Sequence, residues 1–166
     1  PLTSSMGRLF DAVSAMAGIR TTIDYEAQAA IEMEMQAHGA IDEKGLYPFS
    51  ITGDQNYSII LLQELVAGVI NDILRGCTAA TVSMRFHNTI AAMTRDACLK
   101  IKAQSGLGTV ALSGGCFQNR LLLGKVMELL GQSGFKVLTH RNVPANDGGI
   151  SLGQAAIAGR SKILQS

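Results

Sequence analysis

Up to residue 105, apolar residues recur mostly at three- and four-residue steps, and only beyond it does the pattern shorten to brief apolar runs. In TSSMGRLFDAVSAMA, Leu9, Phe10, Val13, Met16 and Ala17 share one helical face. They predict a helix over residues 3–17, with Thr3, Ser4 and Ser5 as N-cap candidates and Gly18 as its stop. A second helix is predicted over residues 24–37, with Asp24 and Glu26 at its positive end and Met33, Met35 and several alanines on its apolar face. Residues 39–57 are polar and turn-rich, with room for a short strand over 47–52. Residues 58–74 read as a helix ended by Arg75-Gly76. Residues 78–102 read as one long helix through Val82, Phe86, Ile90, Met93, Ala97 and Ile101, closed by Gly106 and Gly108.

The remainder predicts strand 109–113, helix 117–132, strand 135–139 and helix 149–160. Connections this short imply parallel strands joined by a right-handed crossover. Ligands in such sheets sit beyond the carboxyl ends of the strands. Gly114-Gly115 follows the first strand and Asn146-Asp147-Gly148 the second, so both are expected to open onto one crevice. Paired glycine between strand and helix lets a phosphate or sugar approach bare backbone, and free helix N–H groups can meet its charge. The fold class expected is α/β and helix-rich, with a helical subdomain over residues 1–105 and a short parallel sheet within 106–166.

The 166 residues suffice for one domain with a sizeable core. At 47% hydrophobic and 16% charged, with a mean hydropathy of +0.22, the chain is apolar for a free-standing domain, which points to surface that a partner covers. A net charge of +1 without a basic cluster argues against nucleic acid. The longest apolar run, 59–70, is broken by Gln63 and Glu64 and falls short of the roughly 20 residues of a membrane helix. No signal peptide is legible, and a start at Pro1 points to a fragment or processed product. Cys77, Cys98 and Cys116 are odd in number and form no CxxC pair, which argues against zinc and disulfides and for reduced thiols in the cytoplasm.

Asp147 has two readings: a helix N-cap, or a metal ligand facing a nucleotide phosphate. Asn119 is either a polar residue of a first turn or an amide that bonds a sugar or base. Asp11 lies mid-helix beside Phe10 and Val13, as a solvated carboxylate or a ribose ligand. Glu26 is most simply a macrodipole partner, and Gly114, Gly115 and Gly149 are turns or points of ligand approach. His87 reads as a surface or buried hydrogen-bonded residue, and Cys116 as a small apolar thiol. No HxxxH pair and no Ser/His/Asp set is legible.

The blocks TSSMGRLFDAVSAMAG, DYEAQAAIEMEMQA, RFHNTIA, LSGGCFQNRLLL and NDGGISLGQA, in this order, resemble the C-terminal part of the HypF family, carbamoyltransferases of nickel–iron hydrogenase maturation. The related TsaD family, which acts on tRNA, has similar blocks, but Phe117-Gln118, the run Tyr25-Glu26-Ala27-Gln28 and Gly148-Gly149 fit the HypF side. The resemblance implies an actin- or sugar-kinase-like ATPase fold, with residues 106–166 as the distal part of a ribonuclease-H-like lobe whose first strands precede Pro1. A sheet edge left open in this way implies self-association. It also implies carbamoyl adenylate, made from carbamoyl phosphate and ATP, as the donor and the C-terminal cysteine of HypE as the acceptor. Asp11, Glu26, Gly114, Gly115 and Asn119 would contact nucleotide, and Asp147 would ligate a divalent ion, magnesium or iron. The family's HxxxH motif is missing from this stretch, which implies an incomplete metal site and an isolated chain without transferase activity. The competing expectations are a non-catalytic nucleotide-binding or scaffolding lobe, a TsaD-like transferase and a sugar-kinase-like enzyme.

Overall fold

In a computed structural model of the chain, which describes residues 3–54 and 57–163, six α-helices and four short strands follow one another. Helix α1 spans Met6–Met16 and α2 spans Gln28–Ala37. Strands β1 (Ser50–Gly53) and β2 (Ser58–Leu61) precede α3 (Gln63–Leu74) and α4 (Ala79–Ser105). Strand β3 (Thr109–Leu112), α5 (Arg120–Gln132), β4 (Lys136–Thr139) and α6 (Ile150–Ile163) complete the order.

Helix α1 stops where the sequence asks. Gly18 takes a φ of +68°, Ile19 N–H bonds Ser14 O at 3.0 Å and Gly18 N–H bonds Ala15 O at 3.1 Å, closing the open carbonyls. The start of α2 is corrected: Asp24 and Glu26 lie before it, in a turn that ends at Ala27, and no acidic residue occupies its first turn. The expected helix over 58–74 is also corrected. Residues 58–61 pair antiparallel with β1, Ser50 opposite Leu61 and Gly53 opposite Ser58, and only then does α3 begin. Ser58, Ile59, Ile60 and Leu61 carry two β-branched isoleucines that suit a pleated surface, and a cross-strand partner outweighs helical spacing over so few residues.

Helix α4 is the axis of the molecule. Its 27 residues begin at Thr78, whose Oγ1 accepts Thr81 N–H at 3.2 Å, and Val82, Phe86, Ile90 and Met93 are buried along it. Phe10 and Val13 of α1, Met33 of α2, Leu65 and Val69 of α3, and Leu122, Val126 and Leu130 of α5 join them in one cluster, which draws on residues from both sides of Ser105. Phe10 meets Phe86 edge-on at 4.9 Å between ring centres. Beside the core, Arg85 bonds Asp72 and Glu43 at 2.9 Å each, and Tyr47 O–H donates to Asp72 at 2.8 Å, tying α3, α4 and the 43–47 loop.

Strands β3 and β4 are parallel, Thr109 opposite Lys136 and Leu112 opposite Thr139, with α5 between them in the chain, as expected from their spacing. Val110, Leu112 and Val137 face the core, whereas Thr109, Ala111, Lys136 and Leu138 lie exposed on the other face. Residues 150–160 of α6 are exposed throughout. No helix among the described residues is long and apolar enough to cross a membrane.

Candidate functional site

A cavity of about 730 Å³ opens between the first turns of α1, the turn before α2 and the segment that enters α5. Asp11, Glu26, Gly115 and Asn119 all line it, so residues far apart in the chain meet as the motifs predicted. Gly114 adjoins this wall, and Asp147 lies outside it.

Each wall has a local cause. Asp11 sits on α1 one turn beyond Arg8, whose guanidinium it holds at 3.0 Å. Glu26 is carried by a strained turn. Ala27 next to it takes φ 63°, ψ 8°, the one left-handed residue other than glycine among those described. A polar strut holds that turn. Arg20 grips Glu32 through two bonds at 2.9 and 2.6 Å, Glu32 accepts from Gln28 Nε2 at 3.0 Å, and Gln28 Oε1 accepts Asp24 N–H at 2.7 Å. The Arg20 pair holds the Glu32 carboxyl below its ordinary range, with its hydrogen bond as the first cause.

The glycine wall follows β3. Gly114 takes φ +105°, a value that L side chains rarely adopt, and its N–H bonds Ala145 O at 2.8 Å. That bond joins the two loops at the carboxyl ends of the strands, as the topology requires. Gly115 has no strain of this kind, and a Cβ built on it would meet no protein atom within 4 Å. Packing therefore does not explain glycine at this position, which lines the cavity. Asn146, not Asp147, caps the following turn, its Oδ1 accepting Gly148 N–H at 3.1 Å, so the capping reading of Asp147 is corrected.

Asn119 is corrected too. It is not in a first turn but is the N-cap of α5, largely buried, its Oδ1 accepting Leu122 N–H at 2.8 Å. Leu121 N–H goes to Glu34 Oε1 at 3.0 Å. The start of α5 is thus occupied by protein acceptors, and the expectation of helix N–H groups held free for negative charge fails there. Glu34 also lines the cavity. Three carboxylates, from Asp11, Glu26 and Glu34, face one guanidinium, from Arg8. Such a wall accepts hydroxyl donors and repels phosphate, which leaves the glycine side for an anion.

The sequence did not single out Glu34, and it left His87 among surface or buried alternatives. His87 is fully buried and meets Asn119 Nδ2 at 2.8 Å. Its place on the inward side of α4, level with Phe86 and Ile90, was the available signal. Cys116 also lines the cavity, and burial pushes its thiol up, away from a nucleophilic thiolate. Asp147 supplies one exposed carboxylate, and no group of three or more histidine, cysteine, aspartate or glutamate side chains that could hold a metal occurs among the described residues. One carboxylate does not meet a hard cation's demand for several oxygen ligands.

Residues 1–154 match the family model for the carbamoyltransferase Kae1-like domain, second subdomain. The chain belongs to the HypF carbamoyltransferase family. It is 39% identical over 158 residues to the carbamoyltransferase HypF of Rhizobium leguminosarum bv. viciae, covering 95% of this chain and 20% of that protein. Against the HypF of Synechocystis it is 34% identical over 154 residues, 93% of this chain and 19% of that protein. The chain thus spans about a fifth of the length of these curated relatives. The crystal structure of a full-length HypF in its phosphate- and nucleotide-bound form is similar with a TM-score of 0.89 and 40% identity, over 98% of this chain and 21% of that one. The T. kodakarensis HypF structure shares the fold with a TM-score of 0.78 at 24% identity. The spelling of the motifs and the family match agree on the HypF side rather than the TsaD side.

Proposed function

We propose that this chain is the distal part of the transfer domain of a carbamoyltransferase of nickel–iron hydrogenase maturation, and that its cavity holds the nucleotide portion of carbamoyl adenylate. The observation that carries this is the meeting of Asp11, Glu26, Gly115 and Asn119 around one cavity. The similarity to a HypF structure named as phosphate- and nucleotide-bound supports it. Asp11 and Glu26 accept hydrogen bonds from ribose hydroxyls, and Gly114-Gly115 admits the phosphate. The segment beyond residue 105 supplies the glycine side of the nucleotide site, and the helical part before it supplies the carboxylate side.

The donor is carbamoyl adenylate, made elsewhere in the full-length protein from carbamoyl phosphate and ATP. The acceptor is the C-terminal cysteine of HypE in the cytoplasm. The thiolate sulfur attacks the carbamoyl carbon, a carbon–sulfur bond forms, the bond from that carbon to the phosphate oxygen breaks, and AMP leaves. The thiol proton passes to solvent. Asp147 would supply one ligand to a magnesium or iron ion, whose other ligands would come from parts of the full-length protein outside this chain. The isolated chain is inactive in transfer.

The test uses a full-length carbamoyltransferase carrying this chain, with ATP binding at the site distinct from the adenylate-forming one and carbamoylation of the HypE cysteine measured side by side. Gly115→Ala is expected to leave thermal unfolding unchanged, because the new methyl meets no protein atom. It should weaken ATP binding about tenfold or more, since even ~1.4 kcal/mol of obstruction has that effect. Unchanged binding would remove the glycine wall from the nucleotide site. Asp147→Ala should abolish transfer while carbamoyl-phosphate-dependent ATP–pyrophosphate exchange survives. Survival of both steps would reduce this lobe to a non-catalytic support.

A further inference from the structure

His87 is buried in the middle of the helical body, and the function proposed above gives it no task. Its surroundings form a directed chain of hydrogen bonds. His87 Nδ1 lies 2.7 Å from Ser83 O, a carbonyl that can only accept, so Nδ1 carries the proton. Leu122 N–H can only donate, so Asn119 presents Oδ1 to it and Nδ2 to His87 Nε2. A neutral ring with a bare Nε2 accepts that Nδ2–H at 2.8 Å. Two backbone groups thus decide both the tautomer of His87 and the orientation of the Asn119 amide.

We propose that His87 is a positioning residue for nucleotide binding: it occupies one hydrogen of Asn119 Nδ2 and so presents the other to a hydrogen-bond acceptor of the nucleotide. The inference rests on the nucleotide reading of the cavity. Asn119 lines that cavity, and its second Nδ2 hydrogen meets no acceptor among the described residues. The amide cannot turn without setting its NH₂ against Leu122 N–H. His87 also reaches the cavity wall on its other side, where Phe10 stands edge-on to its ring at 5.4 Å. The ring therefore joins α4 to α1 and to the segment that enters α5, which form two of the cavity's walls.

The chain of bonds exists only while the ring is neutral. A protonated Nε2–H would face the Nδ2 hydrogens, donor against donor, and the amide would have to leave either His87 or the cap. Burial is the main influence that lowers His87 below the ordinary 6.5, against the pull of its bond to Ser83. Of the charged groups facing it, Glu34 on α2 favours the charged ring, while Lys125 on α5 and His38 just after α2 oppose it. Phe10 is the α1 residue in ring contact with it.

The experiment measures thermal unfolding and ATP affinity at the site distinct from the one that makes carbamoyl adenylate, in a full-length carbamoyltransferase carrying this chain, between about pH 7.5 and about pH 5.5. The variants are Asp11→Ala, Asn119→Ala, His87→Leu and His87→Gln. Asn119→Ala and His87→Leu are each expected to weaken ATP about tenfold, the scale of one hydrogen bond. His87→Gln, whose Oε1 accepts from Asn119 Nδ2, should restore affinity to within about threefold. It should also remove the acid-side loss of affinity expected of the wild type. Wild-type affinity in His87→Leu beside a weakened Asn119→Ala overturns the proposal. So does an acid-side loss that persists in His87→Gln, and this arm decides if His87→Leu does not fold. If the wild type shows no ATP site besides the one that makes carbamoyl adenylate, or Asp11→Ala leaves that further site unchanged, the nucleotide reading itself fails.

Discussion

The body built from α1 to α5 has a buried apolar core, and the segment from residue 140 onward contributes nothing to it among the described residues. In the body, Phe86 on α4 and Val126 on α5 are fully buried, and even the polar His87 and Asn119 lie inside, bonded to each other. In the later segment, Ile150, Leu152 and Ile157 of α6 are exposed at 54, 55 and 71%. The outer face of the β3–β4 pair leaves Ala111 and Leu138 exposed in the same way. A parallel sheet is ordinarily covered on both faces, and here α5 covers one. The body encloses a core of its own, although Met35 and Leu74 stand exposed on its surface, whereas residues 150–160 of α6 are exposed throughout and enclose none. Predicted site residues follow the same division, since Asp11, Glu26, Gly115 and Asn119 are gathered by the body and Asp147 is left apart.

The comparison breaks most directly by truncation on each side. Phe86→Ala should lower unfolding stability by about 3–5 kcal/mol in denaturant titrations, because a fully enclosed ring leaves a cavity. Ile157→Ala should change it by less than about 0.5 kcal/mol. Similar losses for the two would mean that α6 is packed in solution.

The Arg85 cluster gives the next largest effect. Burial pushes the Asp72 carboxyl up, but the bonds from Tyr47 and Arg85 outweigh it and leave the group below its ordinary 3.8. Gly45 N–H, with Arg85, lowers Glu43 below its ordinary 4.5. Both native values lie below the unfolded ones, so their stabilisation is complete above about pH 4.5 and is lost as pH falls through the lowered native values. Asp72→Asn should cost about 2 kcal/mol at neutral pH, discounted from a fully buried pair for the partial exposure of Arg85, and should flatten that acid limb. An unchanged limb in thermal melts from pH 6 to pH 3 would move the acid sensitivity elsewhere.

Ala27→Gly is expected to change stability little. Relief of the left-handed backbone and the greater freedom of glycine when unfolded nearly cancel, for a change within about 1 kcal/mol. Its effect should appear instead as weaker ATP binding, because the turn that presents Glu26 is loosened. Unchanged affinity would show that the Arg20–Glu32–Gln28 strut alone holds Glu26 in place.

Much of this was legible before the structure. The helical spacing of Leu9, Phe10 and Val13 marked α1, and Val82 through Met93 marked α4, because long amphipathic or buried helices repeat the same signal over several turns. The pairing of β3 with β4 followed from their short connection through α5. The β1–β2 hairpin was read wrongly at residues 58–61, since four residues are too few to separate periods of 2 and 3.6. Glu26 was seen as a helix-start carboxylate, and the left-handed Ala27 that turns it toward the cavity has no signature in residue type.

The amino-acid order by itself therefore determined the main helices, the glycine breaks after the strands and the spelling that marks the HypF family. These depend on contacts a few residues apart, or on residues read one at a time. Only the tertiary structure decided that Asn119 caps α5 while His87 orients it, that Glu34 takes a helix N–H, and that the cavity gathers Asp11, Glu26 and Gly115 while leaving Asp147 outside. Those outcomes depend on which donor or acceptor arrives from a distant element, 32 residues away for His87 and 87 for Glu34, and no local pattern carries that information.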